Sequence, residues 1–425
     1  MIAVFVLGFL LLGCVPIAGL GLAWYFGSDA KKSAKGVVVG GKIKDEQHDG
    51  KWKEPPKRVD TPHEKRVKET VQRAAAYLKK GLLDGTAPKG HPEAPFSDTE
   101  TGIASLIGLA LLEAGMPPED PAVRMVLEKV RKVNLQLNSV YVLSTVLLFL
   151  NRLNEKKSLM ESDRGIIRRL ALRLITGQIP SGQWSYATTL LGEKRELQLV
   201  KDLQTGKYKP MGVPSTYPSS PLTQFAILAL WGARKAGVPV SAPLLRASHY
   251  YRKNQLPDGG WGYNNMGYNT TNVDSGTCAG LLALAMEEAI RHDREFNGDP
   301  MPPEDPKLGN IHETQRKGFV RLGKAIDRKK DDPRPPSTNK LFGAGAYGDC
   351  YFLWGVERVA LIYGKPTIES KDWYQWGSEI LIKTQQKDGG WIDRFHPAID
   401  TAFAIFFLAR ANLATDLTES MRSRR

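Results

Sequence analysis

Acidic residues at the beginnings of apolar segments are the side chains of this chain with the clearest capacity for chemistry. Asp98, Asp274, Asp349 and Asp400 each stand within a few residues of the start of a hydrophobic run. Carboxyl groups that are crowded together and partly removed from water raise one another's pKa, so that one of them can donate a proton near neutral pH. Asp is also an ordinary N-cap residue of helices. Capping and acid catalysis therefore both stay open as roles for these carboxylates.

Six pairs of helical segments are expected to position the carboxylates. The first helix of each pair carries mixed charge, which is typical of a half-exposed outer helix; these helices cover approximately 63–80, 120–134, 160–177, 242–254, 312–326 and 371–385. The second helix is hydrophobic nearly all round, as a helix buried on every side must be; these cover approximately 98–114, 138–152, 219–236, 274–291, 348–363 and 400–412. The alternation predicts an outer and an inner layer of helices.

A Gln-x3-Gly-x-Trp pattern follows three of the outer helices. Its copies are Gln178-Ile-Pro-Ser-Gly182-Gln-Trp184, Gln255-Leu-Pro-Asp-Gly259-Gly-Trp261 and Gln385-Gln-Lys-Asp-Gly389-Gly-Trp391. Glycine supplies the positive φ that ends a helix, tryptophan covers the helix end, and glutamine can bond backbone groups left unpaired there. Recurrence at matched positions indicates a repeat architecture. The pattern itself therefore predicts a scaffold rather than catalysis.

These patterns on alternating outer and inner helices resemble the superfamily of squalene cyclases and protein prenyltransferase β-subunits. The resemblance covers about residues 63 to 413 and implies an all-α fold, an (α/α)6 toroid of six helical hairpins, assigned here to residues 63–415. All inner helices of such a toroid run the same way, so their first residues gather at one end, here called the mouth. The resemblance implies a terpenoid cyclase (an isomerase) or a prenyltransferase-like enzyme acting on an isoprenoid lipid, with Asp274, Asp349 and Asp400 as its candidate catalytic residues.

The motifs that carry chemistry in that superfamily are only partly present. Squalene–hopene cyclases have Asp-x-Asp-Asp where this chain has Asn272-Val273-Asp274-Ser275, so only the central acid remains. The prenyltransferase motif Asp-Gly-Cys-Tyr-x-Phe-Trp resembles the segment from Gly348 to Trp354, but the zinc-ligating histidine of that family falls at Asp400. Cys350, His396 and a carboxylate remain as an alternative zinc set. We expect neither a metal nor a cofactor.

The second hypothesis is a non-catalytic binding or interaction module built on the same toroid, with the acids at the mouth serving only as caps. Aromatic residues on the inner helices suit a cation-stabilising pocket and a packed core equally well. They are Tyr141, Phe149, Phe225, Trp231, Tyr351, Trp354, Phe403, Phe406 and Phe407.

The N-terminus predicts a membrane anchor. Residues 1–27 contain no charged side chain and are long enough to cross a bilayer, as a transmembrane helix or an uncleaved signal. Leu11-Leu12-Gly13-Cys14 loosely resembles a bacterial lipoprotein box. Residues 28–62 form a basic, flexible tether, and its lysines favour a single-pass protein with the globular part in the cytoplasm.

Charge and cysteine content exclude further classes. The net charge of +14 is compatible with nucleic acid or an anionic membrane surface, but no nucleic-acid-binding motif accompanies it, so we expect a membrane and no nucleic acid as partner. Three cysteines exclude a disulfide framework. Residues 190–218 and 292–345 are expected to be insertions between hairpin partners, and residues 416–425 a polar tail.

Overall fold

The computed structural model describes residues 60–87, 99–212, 218–263, 273–297, 306–327 and 349–423. The predicted anchor at 1–27, nearly all of the tether at 28–62, and Asp98 lie outside the described residues. Within the described ranges every regular element is helical, and no helix combines the length and apolar character needed to cross a bilayer.

Six outer helices carry a buried stripe and an exposed face. They are α1 (Pro62–Leu83), α3 (Pro121–Val133), α5 (Glu161–Thr176), α8 (Ser241–Lys253), α10 (Ile311–Gly323) and α12 (Trp373–Thr384). Local sequence defines their starts. Thr61 forms a capping box with Glu64 ahead of α1, and Asp120 accepts the N–H of Ala122 ahead of α3.

Six inner helices are buried along most of the length for which their side chains are described. They are α2 (Thr99–Glu113), α4 (Val140–Glu155), α7 (Ser220–Ala233), α9 (Val273–Asn297), α11 (Cys350–Ile362) and α13 (Pro397–Ala409). Each packs against the next in this order, and α13 packs against α2, so the inner helices form a closed ring. The outer helices pack on the outside of that ring. The all-α prediction is confirmed for the described residues, and this closed arrangement is that of the predicted six-hairpin toroid.

The glutamines of the Gln-x3-Gly-x-Trp segments join consecutive hairpins. In each segment the glutamine Nε2 donates one hydrogen bond to the glycine carbonyl of its own segment and a second to a carbonyl of the next outer helix. The second bonds run from Gln178 to Pro243 (2.8 Å), from Gln255 to Thr314 (2.8 Å) and from Gln385 to Thr70 (2.9 Å). Thr70 belongs to α1, so the third segment joins the last hairpin to the first and closes the toroid.

The tryptophans of the same segments tie each hairpin together internally. Their indole N–H groups donate to carbonyls near the end of the preceding outer helix, at Leu174, Tyr251 and Leu381. Their backbone N–H groups donate to threonine hydroxyls of the following inner helix, at Thr223, Thr277 and Thr401. All three rings are buried at the outer-helix ends, as the sequence predicts.

Two additional helices differ from the sequence expectations. Helix α6 (Glu193–Gln204) lies within the expected insertion at 190–218, and α14 (Thr415–Arg422) covers most of the expected polar tail. Helix α14 packs against α9 and α11 and buries Leu417 and Met421. Both segments are rich in charged residues and bury few apolar side chains, which is why the sequence favoured solvated segments over packed helices there.

The first prediction concerns closure of the toroid. Gly389 has φ +97°, and a Cβ there would lie 2.5 Å from the carbonyl oxygen of Arg73 in α1. We expect Gly389→Ala to lower the free energy of unfolding by about 2–4 kcal/mol, because backbone strain and a steric clash add.

Gly85→Ala is the matched control for this substitution, since Gly85 also has positive φ but has open space around a built Cβ. Gly85→Ala should lower the free energy of unfolding only by the backbone strain, about 1 kcal/mol. Chemical denaturation of both variants checks the comparison, and equal losses would contradict a closing role for the third segment.

Candidate functional site

Asp349, together with Asp400, is one of the two fully buried acids among the described residues of the mouth. It is the N-cap of α11, and its Oδ1 accepts the N–H of Phe352 at 2.6 Å. Burial, with a contribution from the charge of Asp393, raises the pKa of Asp349 to about 7. The charge of Asp274 also raises the pKa of Asp349. Asp274, Asp349 and Asp393 therefore lie near one another, at the same end of the ring. Asp349 can therefore exchange a proton near neutral pH.

Asp400 lies in the first turn of α13 and organises the loop before it. Its carboxylate accepts the N–H groups of Asp393 and Phe395, at 2.9 and 3.1 Å. Burial raises the pKa of Asp400 to about 6. Asp393, which lies at the solvent-facing edge of this loop, in turn accepts the N–H of Cys350 at 2.7 Å. Sequence reasoning missed Asp393, which links the loop before α13 to the start of α11.

Asp274 has a partner on a neighbouring helix. It lies in the first turn of α9 and forms an ion pair with Arg321 of α10 at 2.8 Å. Arg321 also bonds Asp258 at 2.9 Å in the second Gln-x3-Gly-x-Trp segment. This contact ties α9 to α10. The ring thus brings Asp274, Asp349 and Asp400 to one end, but each of them has a structural contact there.

An aromatic cluster lies just below these acids, formed by Tyr141, Phe225, Tyr351, Trp354 and Phe403. The ring centroid of Trp354 is 5.2 Å from that of Phe225 and 5.1 Å from that of Phe403. Phe225 and Phe403 are 6.3 Å apart although α7 and α13 stand on opposite sides of the ring. At this level, side chains from opposite walls meet across the axis of the toroid.

Arg358 of α11 adds a positive charge to the aromatic cluster. Its side chain is buried, and its guanidinium carbon lies 4.2 Å from the ring centroid of Trp354. Its Nη2 donates to Gln224 Oε1 of α7 at 2.7 Å, and Gln224 Nε2 donates to the hydroxyl of Tyr351. Sequence reasoning missed this residue. The available signal was the Glu357-Arg358 pair, the only charged residues in the apolar run of α11.

The alternative zinc set is not assembled. Cys350 is buried, and burial raises the pKa of its thiol well above the ordinary value. His396 is the N-cap of α13, where its Nδ1 accepts the N–H of Ala398 at 3.2 Å. Across the described ranges no group of three or more His, Cys, Asp or Glu side chains is arranged to hold a metal ion. These residues do not fit a zinc site of the prenyltransferase type.

A separate cavity of about 390 Å³ lies where the first and last hairpins meet. Tyr77 and Lys80 of α1, Asp388 of the third Gln-x3-Gly-x-Trp segment, and His396 contribute its polar lining. None of the predicted catalytic acids lines it.

Comparisons with solved structures find distant likenesses. No protein-family model matches the chain, and no curated protein matches it. A solved structure of a variant of the type II terpene cyclase MstE from Scytonema, in complex with its substrate geranylgeranyl dihydroxybenzoate, is similar with a TM-score of 0.48 and 12% sequence identity. The match covers 83% of this chain and 99% of the cyclase chain.

The second prediction concerns the buried carboxyl group of Asp349. Its pKa is raised from 3.8 in the unfolded chain to about 7, so the folded state binds more protons between about pH 4 and 7 and loses stability as pH rises through this window. Asparagine caps a helix about as well as aspartate does, and it has no negative charge to bury. We expect Asp349→Asn to gain stability relative to the parent from pH 4 to 8, by an amount on the order of a few kcal/mol.

Thermal unfolding of the two proteins across this pH range provides the measurement. Asp372→Asn, at the exposed N-cap of α12, makes the same substitution without burial and should show no comparable gain. If the difference in Tm between Asp349→Asn and the parent were the same at all pH values, the raised pKa of Asp349 would be contradicted.

Proposed function

We propose that this chain is a non-catalytic binding module on a toroid of the cyclase and prenyltransferase type, tethered to a membrane by its N-terminal apolar segment. The observation that carries the proposal is the position of Arg358 against Trp354. A terpenoid cyclase uses aromatic rings to stabilise a carbocation. Here the aromatic cluster already holds a permanent cation, and two unit charges about 5 Å apart repel by roughly 3 kcal/mol at an effective dielectric of about 20.

The contacts of the predicted acids support the same proposal. Asp349 caps α11, Asp400 holds the loop before α13, and Asp274 pairs with Arg321. These are the contacts expected of structural carboxylates at the ends of inner helices. The direct contacts between Phe225, Trp354 and Phe403 further favour an aromatic core over a pocket at this level.

One observation favours a second candidate, an isoprenoid enzyme with Asp349 as proton donor. The pKa of Asp349 is raised to about 7 by burial, so a protonated fraction is present at neutral pH. Its Oδ2 is buried and has no hydrogen-bond partner among the described residues. In this mechanism the O–H bond of Asp349 would break and leave its electron pair on the carboxylate. The π electron pair of an alkene would form the new C–H bond and leave a carbocation on the other alkene carbon.

The third prediction separates the two functions. Full-length protein in nonionic detergent is incubated with squalene and with geranylgeranyl diphosphate, and products are measured by mass spectrometry. We expect no cyclised or transferred product from the parent protein. Product formation that is lost in Asp349→Asn and kept in the matched variant Asp372→Asn would overturn the proposal in favour of the enzyme.

The fourth prediction concerns the membrane. The uncharged span at residues 1–27 motivates the proposal of a single-pass anchor with the toroid on the cytoplasmic side. We expect the full-length protein to stay in the membrane fraction after washing with carbonate, and a variant lacking residues 1–27 to be released. Release of the full-length protein by carbonate would count against the anchor. Because the toroid is proposed to face the cytoplasm, protease added to intact cells should leave it undigested.

A further inference from the structure

The cavity where the first and last hairpins meet opens to solvent at its edge. Asp388 and His396 are exposed there, whereas the lining side chains of Leu78, Ile107 and Ala398 are apolar and buried. The cavity volume of about 390 Å³ lies within the range of about 300–1,000 Å³ that is typical of small-ligand sites. The cavity therefore combines an accessible polar edge with room for a small molecule.

The junction between the fourth and fifth hairpins provides an internal comparison for this cavity. The glutamine of its segment bonds the carbonyl of Thr314, as the glutamine of the closing junction bonds that of Thr70. Seven residues after these threonines stand Arg321 in α10 and Tyr77 in α1. A Cβ built on the second glycine of each segment would lie 3.0 Å from Arg321 Cγ and 3.0 Å from Tyr77 Cζ, respectively. Tyr77 thus occupies the position that Arg321 has in the other junction.

The charged groups of the two junctions differ. Arg321 forms ion pairs with Asp258 at 2.9 Å and with Asp274 at 2.8 Å. Asp388 corresponds to Asp258, since each accepts the N–H of the second glycine of its segment at 3.0 Å. Ala398 corresponds to Asp274, because each stands three residues before the threonine that accepts the tryptophan N–H. The closing junction therefore keeps one carboxylate and lacks both the second carboxylate and the guanidinium.

Asp388 has no counter-ion among the described residues. Within those ranges its carboxylate accepts one hydrogen bond, from the glycine of its own segment. Lys80 also lines the cavity, but its ammonium group donates to Asp84 at 2.6 Å. The negative charge of Asp388 is therefore left for a group from outside the described residues.

His396 and Tyr77 do not supply this positive charge. His396 accepts the N–H of Ala398 with Nδ1, so its proton lies on Nε2, and burial lowers the pKa of the imidazole. Burial, with a contribution from the charge of Asp388, raises the pKa of the Tyr77 phenol. Both groups are therefore neutral at pH 7, and Tyr77 lies near enough to Asp388 to respond to its charge.

We propose that this cavity binds a small organic cation, a protonated amine or guanidine with a short apolar chain, and that Asp388 is its counter-ion. The cation would stand to Asp388 as the guanidinium of Arg321 stands to Asp258. An ion pair at an exposed carboxylate contributes little by itself. The chain must therefore add affinity by packing on Leu78 and Ile107, by about fourfold for each buried methylene. This inference rests on the proposed binding function and names the class of its ligand.

The fifth prediction tests the site on the full-length protein in nonionic detergent, by calorimetric titration and thermal unfolding at fixed ionic strength. The probes are butylammonium and butylguanidinium, with methylammonium as the cation without a chain. Butanol and butyrate are the neutral and anionic matches for chain length. We expect saturable binding of at least one butyl cation, with a Kd on the order of 1 mM and a raised Tm. Methylammonium should bind at least tenfold more weakly, and butanol and butyrate should not bind saturably.

Substitutions then locate the site. Asp388→Asn keeps an oxygen that can accept the glycine N–H and removes the charge, so binding of the butyl cation should weaken at least tenfold. Tyr77→Arg recreates the arginine and aspartate of the other junction, so its own guanidinium should occupy the cavity and prevent binding. Asp258→Asn makes the same change at the equivalent loop position and should bind like the parent. Thermal unfolding checks that each variant is folded.

Three results would each overturn the site: no saturable binding of either butyl cation, equally tight binding of butanol, or unchanged binding in Asp388→Asn. Failure of the proposed function is distinguishable, since it is detected as product formation in the turnover assay. Cation binding together with isoprenoid turnover would support the site and overturn the non-catalytic proposal.

Discussion

The closed ring depends on the paired hydrogen bonds of the three glutamines that begin the Gln-x3-Gly-x-Trp segments. Each glutamine holds its own loop and the backbone of the next outer helix, so three of the six junctions between hairpins, the closing one included, are fixed through main-chain groups that every sequence provides. The bond from Gln385 to Thr70 spans nearly the whole toroid in sequence, and it converts an open row of hairpins into a ring. A closed ring has no exposed end, and every apolar face of an inner helix is covered by two neighbours and by outer helices.

Closure also determines what the interior can contain. Inner helices that all run in one direction place their first turns at one end, so carboxylates suited to capping become close neighbours without any selection for catalysis. Asp349 and Asp400 show this effect, because burial raises the pKa of each while each bonds backbone N–H groups. A raised carboxyl pKa at the mouth is therefore a consequence of the architecture. Assignment of function needs a feature that capping does not explain.

Much of the fold and part of the site follow from the sequence. The inner helices are identified because they are apolar on all sides, and their starts because Asp, Ser and Asn precede them. The ends of outer helices are identified because glycine and tryptophan recur at fixed spacing. The partners of individual side chains do not follow, because they depend on packing between distant segments. Asp274 meets Arg321 only when α9 and α10 are adjacent. The charged composition of α6 and α14 suggested solvated segments, although each packs a few apolar side chains against the toroid.

Arg358 shows most clearly where sequence reasoning stops. The sequence places a charged residue in an apolar helix, but whether it is compensated depends on side chains of other inner helices. Among the described residues, α7 provides one amide oxygen, at Gln224, and an aromatic face, at Phe225. Aromatic faces stabilise the cation through their quadrupole but accept none of its N–H groups in the way an oxygen does. The same rings that would serve a carbocation in a cyclase therefore hold a fixed cation here.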